Sequence, residues 1–158
     1  LFNRRHLYDL FPKLLSEARR NNQQLVVMLA DLDKFKAIND TYGHPFGDQC
    51  LQHFAAVMKD CVRTNDFLFR MGGEEFLILS IGSFDGGMIL AEKIRKSLYT
   101  APLQHNKKKV KISVSIGVSI APEVPGPDTL NEVLAMVDKA LYEAKERGRN
   151  RVAVFTAA

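Results

Sequence analysis

The sequence lacks any long apolar run, and this absence excludes a membrane-spanning helix within the residues given. The longest apolar stretch, Leu25 to Ala30, is far below the roughly 18 residues that span a bilayer. The N-terminus also lacks the apolar core of a signal peptide. The 158 residues, 46% hydrophobic and 25% charged, have the proportions of one ordinary globular domain. A chain of this length sustains a core without disulfides or a structural metal.

Cysteine is scarce, and neither sign of charge is in large excess. Cys50 and Cys61 lie in one predicted helix, about 16 Å apart, which prevents them from pairing. Neither has the spacing of a metal site, so we expect buried, reduced thiols in a cytoplasmic protein. The net charge of +4 suits phosphates but does not decide a function. Because aromatic and basic residues are not interleaved on one face, we predict no nucleic-acid partner.

Hydrophobic periodicity predicts helices alternating with strands. The first helix begins at or before the start of the chain and covers the first twenty residues, and a buried strand, 24–31, follows it. A short helix, 34–42, ends at Gly43, and Asp48 in the turn GHPFGD is expected to cap the next helix. Further strands are predicted at 66–70, 76–81, 110–120 and 152–155, helices at 88–99 and 129–146, and a proline-rich loop at 121–128.

These elements predict an α/β domain, more closely an α+β sandwich, in which helices flank a central, mostly antiparallel sheet. The paired glycines Gly72 and Gly73 between two strands indicate a hairpin, since glycine accepts positive φ freely. In the strand 110–120 apolar and polar residues alternate, which predicts one buried face. Because the first helix is already open at residue 1, residues 1–158 are expected to be one domain of a longer protein.

Carboxylates converge at the predicted strand ends. Asp31 and Asp33 leave the first strand, and Glu74 and Glu75 lie in the hairpin expected to pair beside it. Such a cluster is tolerable when a hard divalent cation neutralises it, and Mg²⁺ held by carboxylates beside substrate phosphates is the usual arrangement. For Asp33, a cap of the following short helix is at least an equal alternative.

Groups suited to a nucleotide surround this cluster. The region around the predicted turn contains Asn39, His44 and Asp48. The carboxylate of Asp48 can accept hydrogen bonds from the ring N–H and exocyclic amine of guanine. Adenine does not offer that pattern. Lys145 and Arg149 could supply positive charge to a triphosphate, although a helix C-terminus also favours basic residues through its dipole.

Four segments together resemble the GGDEF family of diguanylate cyclases. They are DLDKFKAINDTYGHPFGD, RMGGEEF, SVSIGVS and DKALYEAKERGRNRV, in this order, and the signature reads GGEEF at residues 72–76. The match covers nearly the whole chain. LFNRR also resembles the family's start, although the Asp-x-Leu-Thr segment that normally precedes it is absent. The resemblance therefore implies an excised catalytic domain whose N-terminal regulatory region is absent.

The resemblance implies a fold similar to nucleotidyl cyclases and polymerase palms, which is ferredoxin-like. It implies condensation of two GTP into cyclic di-GMP with release of pyrophosphate, using Mg²⁺ or Mn²⁺, two per active site. Each domain would hold one GTP, so a homodimer is needed for catalysis. This fragment is expected to be cytoplasmic and to make no membrane contact, while a membrane anchor elsewhere in the parent protein stays open. The alternative is a catalytically silent receptor of GTP or cyclic di-GMP, which the intact carboxylates disfavour.

The resemblance also implies roles residue by residue. Asp31, the backbone carbonyl of Leu32, Glu74 and Glu75 match the metal ligands, and Glu74 and Glu75 are the catalytic carboxylates. The substrate-binding positions are the guanine contacts Asn39 and Asp48, the neighbouring His44, and the phosphate-holding Phe35, Lys36, Lys145 and Arg149.

A product-binding inhibitory site is implied as well. Arg63 and Asp66 match the family's RxxD motif, at the end of a strand opposite the carboxylates. Arg95, on the next helix, is expected to contribute to this site from a neighbouring domain.

Overall fold

The computed structural model describes residues 1–123, 126 and 128–156. The predicted proline-rich loop lies partly outside these residues. The described residues form five helices and two sheets. The helices are α1 (Arg4–Arg20), α2 (Phe35–Tyr42), α3 (His44–Cys61), α4 (Phe84–Tyr99) and α5 (Thr129–Glu146). The strands are β1 (Phe2–Asn3), β2 (Gln24–Leu32), β3 (Phe67–Gly72), β4 (Glu75–Gly82), β5 (Leu103–His105), β6 (Lys108–Val110), β7 (Val114–Ile120) and β8 (Val152–Val154).

The main sheet has the strand order β1-β3-β4-β2-β7-β8, with β5 and β6 forming a separate hairpin. β2 runs antiparallel to both of its neighbours, β4 and β7, and β3 runs antiparallel to β4. Only the two outer pairs, β1 with β3 and β7 with β8, are parallel. The prediction of a mostly antiparallel sheet flanked by helices is therefore confirmed.

Helices cover the sheet on both faces because the strands alternate their apolar side chains between two cores. One core joins β2 residues such as Val26 and Met28 to Phe54 of α3 and Ile94 of α4. The other core joins the intervening β2 residues, such as Val27, to α1 and α5. β2 is buried at eight of its nine positions, as its unbroken apolar sequence predicted.

The structure corrects two predicted helix starts. α1 does not begin at or before residue 1: Asn3 caps it by accepting a hydrogen bond from the backbone N–H of His6, and the two residues of β1 precede it. Asp48 does not cap α3, because that helix already begins at His44 after Gly43, whose φ is +90°. Gly43 ends α2 as predicted and separates the two helices without a longer turn.

The strand predicted at 110–120 is also different in the structure. It is divided into β6 and β7, and the interior of β7 is buried on both faces. Its polar-looking face, Ser115, Gly117 and Ser119, lies under α5 and not in solvent. Alternation alone could not reveal this, because small residues can face either water or a closely packed helix.

Both cysteines lie on α3, and both are buried and free, as predicted. Burial raises the pKa of the Cys50 thiol to about 11, which disfavours the reactive thiolate at neutral pH. In the part of the chain that the structure describes, no helix combines the length and apolarity needed to cross a membrane.

Gly117 sets how closely α5 approaches the sheet, and we predict that Gly117→Ala strongly destabilises the fold. An added Cβ would overlap the backbone of Leu141 and Val137 and lie 3.0 Å from the carbonyl carbon of Ala140. Backbone atoms cannot rotate away from the added methyl group. We therefore expect the free energy of unfolding to fall by at least the upper end of the about 1–3 kcal/mol typical of overpacking. Urea unfolding measures it, with Ser119→Ala on the same strand as control. Equal stability of the two variants would contradict this view of the contact.

Candidate active site

The register of β2 brings carboxylates together at one end of the sheet. Asp31 lies opposite Glu75 of β4 on one side and Ser115 of β7 on the other. Directly paired residues point their side chains to the same face, so the carboxylates of Asp31 and Glu75 share the face covered by α1 and α5. The predicted convergence of strand-end acids is thus present for this pair.

Burial makes this end of the sheet electrostatically costly. Asp31 is 5% exposed, and burial is the largest cause that raises its pKa, with Glu74 and Asp33 raising it further. Lys145 of α5 opposes this shift through an ion pair with Asp31 Oδ2. Burial also raises the pKa of Glu75, followed by repulsion from Asp31 and Asp138. The site therefore holds more buried negative charge than Lys145 alone compensates.

Glu74 lies at the tip of the hairpin between β3 and β4. Gly73, with φ of +48°, makes the tight turn, and its carbonyl accepts a hydrogen bond of 2.8 Å from Arg70 Nη2. The backbone carbonyl of Glu74 accepts from the N–H of Leu32 at 3.3 Å. This bond joins the hairpin tip to the end of β2, where Asp31 and Leu32 are predicted to ligate a metal.

Asp33 neither caps α2 nor remains free for a cation. Its Oδ1 accepts from Ser115 Oγ at 2.6 Å, and its Oδ2 accepts from Ser113 Oγ at 2.7 Å. Oδ2 also accepts from the backbone N–H of Asn150 at 3.0 Å. Lys34, with φ of +54°, is the N-terminal cap residue of α2 instead. Asp33 is therefore a structural anchor between β2, β7 and the turn after α5.

The residues present fit a hard divalent cation. Asp31 Oδ1 is buried with no hydrogen-bond partner, and carboxylate oxygens are the ligands that Mg²⁺ prefers. Within the described ranges, no three His, Cys, Asp or Glu side chains are already gathered as a metal cage. Asp31 and Glu75 share one face, while Glu74 stands on the adjoining turn.

The predicted guanine contacts lie where α2 meets α3. Asn39 is on α2 and half-buried, while His44 and Asp48 are exposed on the first turns of α3. Gly47 of α3 approaches the Asn39 side chain so closely that an added Cβ would overlap Oδ1 and lie 2.9 Å from Cγ. Asn39 Oδ1 is buried and has no partner among the described residues. An unused polar atom at this junction is what a site for a polar ligand requires.

The predicted phosphate-holding residues divide into two groups. Phe35 and Lys36 begin α2, directly after the end of β2, with Lys36 exposed. Lys145 is in the last turn of α5 and already reaches Asp31, whereas Arg149 lies in the turn after that helix. Arg149 lines a cavity of about 380 Å³ together with Asp33 and Lys34. The structure thus brings Lys145 and Arg149 to the end of the sheet that carries the carboxylates.

Arg63 and Asp66 form an ion pair at the opposite end of β3, as predicted, with Nε and Oδ2 3.5 Å apart. The Asp66 side chain is only 1% exposed and accepts from the Arg63 backbone N–H at 2.8 Å and from Ser80 Oγ at 2.7 Å. Both carboxylate oxygens of Asp66 therefore already have partners within the domain. Arg63, 66% exposed, instead faces a polar cavity of about 600 Å³ that Glu17 and Asn21 also line.

Arg95 does not stand free to reach a neighbouring domain. Its Nε and Nη2 donate to the carboxylate of Glu92 at 2.9 and 2.6 Å, and its Nη1 donates to Asn150 Oδ1 at 3.1 Å. Its side chain is 17% exposed. The prediction that Arg95 belongs to the inhibitory site is not supported by these contacts, because each guanidinium nitrogen already has a partner within the domain.

Sequence reasoning missed Gly47 and Asn150. The close approach of Gly47 to Asn39 depends on how two helices cross, and the bond between Asn150 and Asp33 joins residues 117 positions apart. The local signals were Gly47, the second glycine of the predicted turn GHPFGD, and GRNRV, the end of the fourth family segment.

Comparison with known proteins agrees with this geometry. The sequence model described as "Diguanylate cyclase, GGDEF domain" matches residues 1–151. Diguanylate cyclase A of Treponema denticola is 38% identical over 148 residues, which are 93% of this chain and 38% of that protein. The chain thus spans little more than a third of this relative's length.

Solved structures extend the likeness to the whole fold. The active GGEEF domain of a diguanylate cyclase from Vibrio cholerae is 32% identical, with a TM-score of 0.87 over 100% of this chain and 99% of that one. The GGDEF domain of DgcB from Caulobacter crescentus in complex with c-di-GMP is 28% identical, with a TM-score of 0.88 over 98% and 91% of the two chains. On the family match, the motifs and the fold, this chain belongs to the GGDEF diguanylate cyclase family.

Proposed function

We propose that the domain condenses two GTP into cyclic di-GMP and depends on a divalent cation to do so. The observation that carries this proposal is the buried, unpartnered Oδ1 of Asp31, paired in register with Glu75 and flanked by Lys145. Membership of the family supports the same activity. The V. cholerae GGEEF domain, of nearly equal extent, is described as active.

In this reaction the 3′-oxygen of one GTP forms a bond to the α-phosphorus of the other, and the bond from that phosphorus to the β-phosphate bridging oxygen breaks. Pyrophosphate leaves, and the hydroxyl proton is released. A second step of the same kind, in which the 3′-oxygen of the second nucleotide bonds to the α-phosphorus of the first, releases a second pyrophosphate and closes the ring. Two Mg²⁺ or Mn²⁺ ions, when bound, would neutralise phosphate charge and acidify the hydroxyl.

The chain's own groups have separable tasks. Asp31, Glu74, Glu75 and the carbonyl of Leu32 would hold the cations, and Glu74 would receive the proton. The ammonium group of Lys145 forms an ion pair with Asp31, and it can also donate a hydrogen bond to a phosphate oxygen of the substrate. Arg149 and Lys36 would supply further positive charge, and Phe35, the first residue of α2, would help to hold the phosphates.

The base would bind at the α2–α3 junction. Asn39 and Asp48 are the hydrogen-bonding partners that select guanine, and the unpartnered Asn39 Oδ1 supports this placement. His44 borders the same junction. Because each domain would hold one GTP, two domains must face each other, so catalysis requires a homodimer.

We predict that the domain converts GTP with Mg²⁺ into cyclic di-GMP and that Asp31→Asn abolishes this conversion. The amide oxygen carries no net charge and is a much weaker ligand for a divalent cation than the carboxylate, so the initial rate should fall by at least about 10²-fold. Chromatography of the nucleotide products measures it, and Asp60→Asn, an exposed acid on α3, is the matched control. GTP or cyclic di-GMP binding without turnover by the unchanged domain would favour the silent receptor instead.

Gly47→Ala should raise KM for GTP by about tenfold or more, because a methyl group would displace the Asn39 side chain from the junction. Gly82→Ala, whose added Cβ would lie in ordinary contact 3.8 Å from Arg63 Nη2, is the control. Initial rates over a range of GTP concentrations distinguish KM from kcat. An unchanged KM in a folded Gly47→Ala variant would show that Asn39 does not contact the base.

Product inhibition is proposed to act at the polar cavity beside Arg63. DgcB, whose structure contains c-di-GMP, supports binding of this product within the family. We predict that Arg63→Ala weakens the binding of cyclic di-GMP by at least about tenfold and relieves inhibition, since it removes the exposed phosphate-binding fork. Calorimetric titration with initial rates measures both effects. Arg20→Ala, another exposed arginine, is the control, and equal affinity in both variants would contradict the site.

A further inference from the structure

The turn that follows α5 has an unfavourable backbone conformation. Gly148, Arg149 and Asn150 have φ values of +121°, +64° and +48° in succession. Glycine adopts this region freely and asparagine tolerates it, but an arginine does so only where its surroundings fix it. The turn places Arg149 at the carboxylate end of the sheet. The contacts that fix the turn therefore also fix the backbone position from which the Arg149 side chain extends.

Two anchors fix this turn from opposite sides. Asp33 accepts from the backbone N–H of Asn150 at 3.0 Å, and both of its oxygens are held by the hydroxyls of Ser113 and Ser115. Arg95 of α4 donates to Asn150 Oδ1 at 3.1 Å. Asn150 is therefore held by its backbone from β2 and by its side chain from α4.

Arg95 is itself rigidly placed. Its Nε and Nη2 form a two-point contact with Glu92, one turn earlier on α4, and this leaves Nη1 directed at Asn150. Lysine could not make both contacts, because it lacks the planar fork. The contact with Glu92 also keeps the pKa of the Glu92 carboxyl below its usual range, so the pair stays charged at neutral pH.

From this geometry we infer that Arg95 is a positioning residue, which acts through Asn150, alongside the separate anchor Asp33, to hold Arg149 for the β- and γ-phosphates of GTP. This inference rests on the proposed function, and it assigns Arg95 a task within its own active site. A helix on one face of the sheet thereby controls a turn that follows a helix on the other face. Weakening the contact should release the turn without changing the guanine contacts on α2 and α3.

The test compares two ligands that differ in their phosphates. One is 3′-deoxy-GTP, which lacks the attacking hydroxyl and cannot react, and the other is GMP, which lacks the outer phosphates. With Mg²⁺ present, Arg95→Met should bind 3′-deoxy-GTP about tenfold more weakly, while its affinity for GMP changes less than about twofold. Lys96→Met, an exposed neighbour on the same helix, is the matched control and should bind both ligands as the parent does.

A double-mutant cycle identifies the contact. Asn150→Gly keeps the backbone conformation accessible and removes the acceptor, so Arg95→Met with Asn150→Gly should be no weaker than the worse single variant. Additive effects, or equal weakening for GMP and 3′-deoxy-GTP, would overturn the inference in favour of a general structural role.

Hydrogen exchange provides a readout that needs no nucleotide. Arg95→Met should accelerate exchange of the Asn150 amide, which donates to Asp33, and leave amides in the middle of β2 unchanged. Unchanged exchange at Asn150 would overturn the inference even if nucleotide binding fell. If the parent itself does not bind 3′-deoxy-GTP, the proposed function fails, and exchange still decides whether Arg95 holds the turn.

Discussion

The arrangement of carboxylates at one end of the sheet depends on the register of β2 between β4 and β7. A shift of one residue would turn every side chain of β2 to the other face, and two buried cores oppose that shift. The same register places Asp31 opposite Glu75 and Ser115. The position of α5 is tied to it as well, since α5 rests on Gly117 and delivers Lys145 to Asp31. Hydrophobic packing thus fixes where the charges are.

Those charges are arranged at a cost to the protein. Burial raises the pKa values of Asp31 and Glu75, so at neutral pH the folded state holds carboxylates that would be better solvated in the unfolded chain. The unfavourable contribution decreases as the pH falls through these raised pKa values, because the groups then become neutral. Lys145 offsets part of the cost, and a bound dication would offset more. Buried carboxylates whose charge is only partly compensated favour the binding of a divalent cation at this site.

Sequence reasoning succeeded where the signal was local and strong. The unbroken apolar run predicted β2, the helical periodicity predicted α5 at its observed bounds, and the paired glycines predicted the β3–β4 hairpin. It failed where distant packing decides. The serines of β7 read as solvent-facing, and Asp33 read as a cap or a metal ligand, because α5 and the Asn150 turn return to them only in the folded chain.

The distance between Arg63 and the carboxylates restricts how a product could inhibit. Ser80, which bonds both Arg63 and Asp66, lies five residues along β4 from Glu75, a separation of about 17 Å at the rise of a β-strand. β4 is buried through its middle and paired on both sides, so it transmits little bending. A ligand at Arg63 would therefore leave the proposed cation ligands of its own domain in place. If each domain holds half of the reacting pair, such a ligand acts most directly by changing how two domains face each other.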